Sequence, residues 1–430
     1  MQPNAVEYPK FRWFVLFTAA FAWITFGVVT MIFSPLLSTI ASEFGREVGG
    51  MMARFMALNS IGIGLGALFS GWLVDRFGPR KVLLGSMVLV TAYLLSVPHF
   101  SQTIPQLTFL RFCEGFVAGP IHSTLAKLGQ RWFPKNEQGF FNGVTNASIA
   151  VGFAGVYLLF TPWGEYFEGD WRKMIQSIAV LTITSIVLLT ITLMKKEPPL
   201  QKWAAGTGAS PEEDFKKAIR IPTFWVGAFL LMCAMTFMST INGLTPTYVI
   251  QPKPLGLSKA IWIPYLSIIK LGMIIMGFGM GFVLNKIFGG VPKRAVIVGS
   301  TFSGILAFCF TLSPITSTLP IFCVVLFLIG FWMNCEYPSV TVFVAHNYPP
   351  AILGRAFAVC SCCAVFGSAI ISGFAGLLLD WTHTFKSVYL LCMCLAFAAA
   401  VVATRLNPVK EFAKQPEPKP EAATATVGAH

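Results

Sequence analysis

Residues 71 to 81 read Gly71-Trp-Leu-Val-Asp75-Arg76-Phe-Gly78-Pro-Arg80-Lys81. One acid, three bases and a Gly-Pro turn signal are wedged between two apolar runs, at about 50–74 and 81–98, each near the roughly 20 residues that cross a hydrocarbon core. A charged turn in that setting belongs at a membrane surface, with a span on either side. Working outward at the same threshold, further apolar runs lie at about 13–40, 104–128, 138–160, 172–194, 222–250, 262–284, 294–312, 319–345, 352–379 and 385–405. Twelve transmembrane helices are therefore predicted, and with them an all-α integral membrane protein. Composition agrees: 55% of residues are hydrophobic and only 11% charged, against about 25% charged in an ordinary soluble domain.

The net charge of +13 suggests nucleic acid at first sight. Once the spans are drawn, most of the 31 Lys and Arg fall on one side if both termini are cytoplasmic, as the positive-inside rule requires. The partner of the basic residues is then the lipid bilayer, and no nucleic acid is expected. The first run begins with Lys10 and Arg12 and is too long for a signal peptide, so it is expected to remain as a span. The expected location is the cytoplasmic (inner) membrane of a prokaryotic cell, multi-pass. All ten cysteines stand in apolar segments. Cys360-x-Cys362-Cys363 and Cys392-x-Cys394 read as small buried hydrophobes in helix packing rather than as metal or redox pairs. No nucleotide-binding loop, zinc constellation or hydrolytic triad stands in the chain, so no enzyme, catalytic residue, metal or cofactor is expected.

The one substantial polar connection runs from Lys195 to Arg220, with Pro198, Pro199, Gly206, Gly208 and mixed charge around Glu212 to Lys217. It divides a first six-helix bundle (1–194) from a second (221–405), with 195–220 as a cytoplasmic central loop and 406–430 as a disordered cytoplasmic tail. The halves repeat. A shift of 215 places Gly115-Phe116 on Gly330-Phe331, Pro134 on Pro349, Gly139 on Gly354 and Gly152 on Gly367. A shift of 210 places Gly71 and Asp75-Arg76 on Gly281 and Asn285-Lys286. Matches that keep their order in this way are what a duplicated unit leaves behind.

The 71–81 stretch fits G-x-x-x-D-[RK]-x-G-x-[RK]-[RK] at every specified position, and with the duplicated spans around it the chain resembles the major facilitator superfamily of secondary transporters. The resemblance implies two pseudo-symmetric six-helix bundles that rock about a midplane cavity, with Gly71, Asp75, Arg76, Gly78, Arg80 and Lys81 as a gating motif. It also implies that Asp75 latches against the cytoplasmic N-terminus of the eleventh span, where the helix dipole is positive. In the second half Asn285 replaces the acid and Phe288 to Val291 interrupt the pattern, so that copy is expected to latch weakly or not at all. Gln130-Arg-Trp-Phe-Pro134-Lys-Asn-Glu-Gln-Gly139 is similar to a loop common in the anion:cation symporters, except that Gln138 stands where a base is usual.

Ionisable groups inside a membrane are costly and tend to be functional. Arg111 opens Arg111-Phe-Cys-Glu114-Gly115, which resembles the R-x-x-x-G pattern of the family's fourth helix. Arg111 and Glu114 share a helix face; they form either a static ion pair, or an anion site at Arg111 with Glu114 as proton carrier. Lys270, in Ser267-Ile-Ile-Lys270-Leu-Gly272, has no acid near it in sequence and needs a carboxylate from another helix, a bound anion, or an outer-surface exit. A base at this place in the eighth helix is similar to what oxalate/formate antiporters and monocarboxylate transporters use to hold a carboxylate. Asn242 ahead of Gly243 and Pro246, and Trp332 and Asn334 ahead of Pro338, fit a cavity lining. Glu336 is read either as proton-coupling or as part of an inner-gate salt bridge. The expected function is movement of a small organic anion, a mono- or dicarboxylate, by alternating access, coupled to a proton or a counter-anion and carried out by a monomer. The alternatives are a pump or importer for drug-like or siderophore-like compounds, and a receptor that does not transport.

Overall fold

The computed structural model describes residues 9–196, 211–249, 263–409 and 412. Its backbone turns back on itself where the quoted stretch places a turn. The helix Val48–Phe77 ends at Gly78, whose φ of 83° suits a residue without a Cβ, and Pro79 opens the next helix at a position that needs no N–H. In chain order the spans are Arg12–Met31 with Phe33–Glu43, Val48–Phe77, Pro79–Phe100, Ile104–Trp132, Lys135–Tyr166, Trp171–Ser177 with Ala179–Leu193, Pro222–Val249, Ser267–Phe282 with a π-helical end Val283–Ile287, Pro292–Cys309, Leu319–Asn347, Pro350–Thr382 and Phe385–Ala403. Ten of the described helical segments are long and apolar enough to cross a membrane. The other two are the fourth, which carries Arg111 and Glu114, and the ninth, whose 18 residues include Lys293 and Arg294. Arg111 and Glu114 pair within the fourth span, and Lys293 donates to the Thr404 carbonyl and to Asn407 just past the twelfth.

The duplication seen in sequence is a duplication of packing. The second span packs on the fourth as the eighth packs on the tenth; the pairs first–fifth and seventh–eleventh, and third–sixth and ninth–twelfth, correspond in the same way. Glycine makes the equivalent contacts close. A Cβ on Gly115 would run into the carbonyl of Asn59, and one on the matching Gly330 would run into the carbonyl of Ile269. Lipid tails are as apolar as the side chains they meet, so close backbone approach is a main source of helix association in a bilayer.

Among the described residues the halves meet chiefly where the second span packs on the eleventh, the fifth on the eighth and Phe33–Glu43 on the seventh, with a sparser contact of the second on the seventh. The membrane surface that bears Gly78 has its own polar clasps. Arg12 pairs with Glu137 at 2.9 Å, and Arg80 donates to the Thr192 carbonyl with its guanidinium 5.3 Å from the Trp132 ring centre. On the other surface Arg172 pairs with Glu43 at 2.8 Å, and Trp171 Nε1 donates to the same carboxylate at 2.6 Å. Also on that surface, the Asp380 carboxylate of the second half interacts with the backbone N–H groups of Gly49 and Gly50 in the first turn of the second span. There it meets the positive end of a helix dipole.

Within the 195–220 connection, Pro211–Arg220 is a helix, with Glu212, Glu213 and Asp214 in its first turn and Lys217 and Arg220 in its last. That order complements the dipole. Lys217 lies over the ring of Phe412, which packs on Tyr348 at 5.9 Å. Residues 197–210 and the rest of the expected tail lie outside the described residues. The ten cysteines are all free thiols.

A candidate ligand site between the halves

Lys270 is completely buried in the eighth span. Its Nζ donates to Asn242 Oδ1 of the seventh, and the fifth span, in the other half, adds two aromatic faces: Phe153 with its centroid at 5.2 Å and Tyr157 at 5.5 Å. Among the described residues no carboxylate reaches it. An ammonium out of water is thus held by a neutral amide and by ring quadrupoles.

Arg111 is equally buried but is compensated. Its Nη1 donates to Glu114 Oε2, which also accepts from Tyr93 OH at 3.0 Å, and its guanidinium lies 4.1 Å above the Phe33 ring centre. Asn59 Nδ2 donates to the Arg111 carbonyl at 3.3 Å. Arg111 Nε and Nη2, and Glu114 Oε1, are buried with no hydrogen-bond partner among the described residues. A guanidinium with two unclaimed nitrogens can accept an anion in a forked geometry. Phe33 and its neighbour Ser34 link the two cations: Phe33 lies under Arg111, while Ser34 Oγ donates at 2.5 Å to the main-chain carbonyl of Asn242 beside Lys270.

The remaining candidates sit elsewhere. Trp332 stacks on Phe302 of the ninth span with centroids 4.8 Å apart, and Glu336 is buried against Gly299 of the same span. Asn334 Nδ2 donates to the Met273 carbonyl of the eighth span at 2.8 Å. In the gating motif Arg76 lies over Phe77 and is exposed, as is Lys81, while Arg80 is buried. The side chain of Asp75 lies outside the described ones. Phe153, Tyr157, Phe33, Ser34 and Tyr93 escaped the sequence reading, because in an apolar run nothing local distinguishes a packing aromatic from one that faces a cation.

The arrangement amounts to two buried cations within the spans, one per half, with one of them lacking a counter-charge among the described residues. Such a site favours a negatively charged ligand.

Known transporters are similar to this chain. The probable sulfoacetate transporter of Cupriavidus necator is 25% identical over 253 residues, which are 56% of this chain and 52% of that protein; the chain thus spans about half the length of that relative. The probable L-galactonate transporter of Escherichia coli is 22% identical over 393 residues, covering 84% of this chain and 82% of its own. The crystal structure of a D-xylose–proton symporter superposes with a TM-score of 0.73 at 17% identity, over 92% of this chain and 98% of the other, which shows the fold. These relatives are transporters rather than enzymes. Residues 13–302 and 267–429 match the Major Facilitator Superfamily, and with the twelve spans, the paired packings and the 71–81 turn, the chain belongs to that family.

Proposed function

We propose that the chain is a secondary transporter that carries a small organic anion through a site between its halves, and that Lys270 and Arg111 hold the anion. The observation that carries this is Lys270, a buried ammonium whose compensation is an amide oxygen and two rings, weak enough for a carboxylate to displace. Glu114, with one oxygen unclaimed beside Arg111, is the proton-coupling group; Glu336 is a second carboxylate for that role. Asn242 lines the site, Asn334 braces the eighth span that carries Lys270, and Trp332 packs the tenth span on the ninth. Alternating access follows from rocking of residues 1–194 against 221–405 about the 195–220 connection, with 406–430 as a tail whose start, at Leu406, Val409 and Phe412, packs on the second half. Asp75 gates the surface that bears Gly78. Both termini are cytoplasmic, the membrane is the prokaryotic inner membrane, and the monomer is the working unit. The relatives named for sulfoacetate and L-galactonate support an anionic substrate.

Counterflow in proteoliposomes tests this. Labelled small carboxylates and sulfonates should exchange, whereas neutral sugars and amphiphilic drugs should not. Exchange of a neutral sugar or a drug with no anion carried would overturn the proposal, and binding with no movement of label would make the protein a receptor.

A further inference from the structure

Pro246 stands four residues after Asn242 inside the helix Pro222–Val249. Proline has no N–H, so the Asn242 carbonyl lacks the donor that an α-helix would supply to it. Two hydroxyls from the first half occupy it instead: Ser34 Oγ at 2.5 Å and Tyr157 OH at 3.4 Å. All three groups are buried. Tyr157 and Asn242 also bear on the ligand site, because Tyr157 faces Lys270 and Asn242 Oδ1 accepts from it.

The depth of this junction indicates what it does. Ser34, Tyr157 and Asn242 each lie roughly 30 Å along their helices from the surface that bears Gly78, at 1.5 Å per residue, and so on the far side of the midplane. Further out on that side, Met52 of the second span crowds Gly243 of the seventh, and Asp380 rests on Gly49 and Gly50 at the rim. The halves are therefore in contact from the ligand site to the surface that bears Glu43 and Asp380.

We infer that Ser34 and Tyr157 clasp the proline-freed carbonyl of Asn242, holding the halves together at the level of the ligand site, and that this clasp releases when the site opens to the surface that bears Glu43. Opening toward the Gly78 surface leaves it intact. Pro246 thus has a role beyond bending a helix: it supplies an acceptor that only the opposite half can satisfy. Through these hydroxyls Ser34 and Tyr157 act as positioning residues, on the conformational balance, while the ring of Tyr157 separately faces Lys270. The inference rests on the halves moving against each other, as proposed above.

The test measures that motion in the full chain. Spin labels go on cysteines introduced at the exposed Glu168 and Lys386, one per half on the Glu43 side, with the exposed Cys394 replaced; distances are read by pulsed dipolar spectroscopy in nanodiscs. Each of Ser34→Ala and Tyr157→Phe should lower the closed-to-open ratio about 2- to 12-fold, the worth of one neutral hydrogen bond. Pro246→Ala restores the helical donor and should shift the ratio in the same direction. In the triple variant Pro246→Ala should add little, since the carbonyl it satisfies has already lost its partners. Wild-type ratios in Ser34→Ala/Tyr157→Phe, or a fully additive Pro246→Ala, would overturn the clasp. A wild-type distance that stays fixed under every ligand and pH would instead defeat the rocking of the halves.

Discussion

Asn242→Asp changes one atom of the group on Lys270 and turns a neutral acceptor into a carboxylate. In the structure Nζ reaches Asn242 Oδ1 in a fully buried setting, so the substitution gives the ammonium an internal counter-ion. A transported anion must then displace a charged partner instead of an amide. Hydrogen bonds to charged groups contribute about 1.5–3 kcal/mol and neutral ones about 0.5–1.5. The difference, roughly 1–1.5 kcal/mol, predicts about a 5- to 13-fold loss of anion affinity, with thermal stability kept or raised. Lys270→Gln approaches the same site from the other side. It removes the ammonium, can still donate to Asn242, and should weaken binding about 10- to 150-fold. The assay is isothermal titration of the purified variants with an anion that passes the counterflow test, alongside thermal unfolding. If both variants bind the anion as the wild type does, Lys270 is not the anion site and a neutral or amphiphilic substrate becomes the better reading.

Three further outcomes are expected. Gly330→Val should lower the unfolding midpoint, since its side chain meets the Ile269 carbonyl and overpacking costs about 1–3 kcal/mol; an unchanged midpoint would mean the eighth and tenth spans are not in such close contact. Glu114→Gln should keep exchange but flatten the pH dependence of uptake, because a neutral amide stands in for the protonated acid beside Arg111 and Tyr93; uptake that follows the wild-type pH profile would remove Glu114 from coupling. Asp75→Asn should slow transport while leaving equilibrium binding intact, and loss of binding in a folded variant would end its assignment to a gate.

What the sequence made legible follows the range of the forces involved. Spans depend on runs of about 20 apolar residues, and the charged turn at 71–81 marked a break that the structure places at Gly78. The ion pair of Arg111 and Glu114 was legible because three residues on a helix share a face, and the structure forms it. Lys270 was legible as a lone cation, but not its surroundings: Phe153 and Tyr157 come from the other half of the chain, joined only by tertiary packing. The tenth span shows the same limit. At 3.6 residues per turn Trp332 and Glu336 share a face and Asn334 points nearly opposite, yet only the fold reveals that the first two meet Phe302 and Gly299 of the ninth span while Asn334 meets the eighth. Pro246 carried a signal that helix periodicity ignores, a missing donor four residues after Asn242, but the hydroxyls that answer it lie in spans one and five.

The two buried cations are stabilised to different degrees, and on the proposed reading that difference is useful. Arg111 has a carboxylate partner whose removal would leave an uncompensated buried charge, a loss of about 3–5 kcal/mol, so its guanidinium is fixed in place. Lys270 has one neutral acceptor and two ring faces. Cation–π contacts reach about 2 kcal/mol when desolvated, which only partly offsets a desolvation penalty of several kcal/mol for a buried ion. An arriving anion gains the remainder. Both rings belong to the first half and Lys270 to the second, so separation of the halves at this level takes the rings away from the ammonium. A ligand that moves with Lys270 can replace that compensation, and in this way occupancy of the site lowers the cost of opening it.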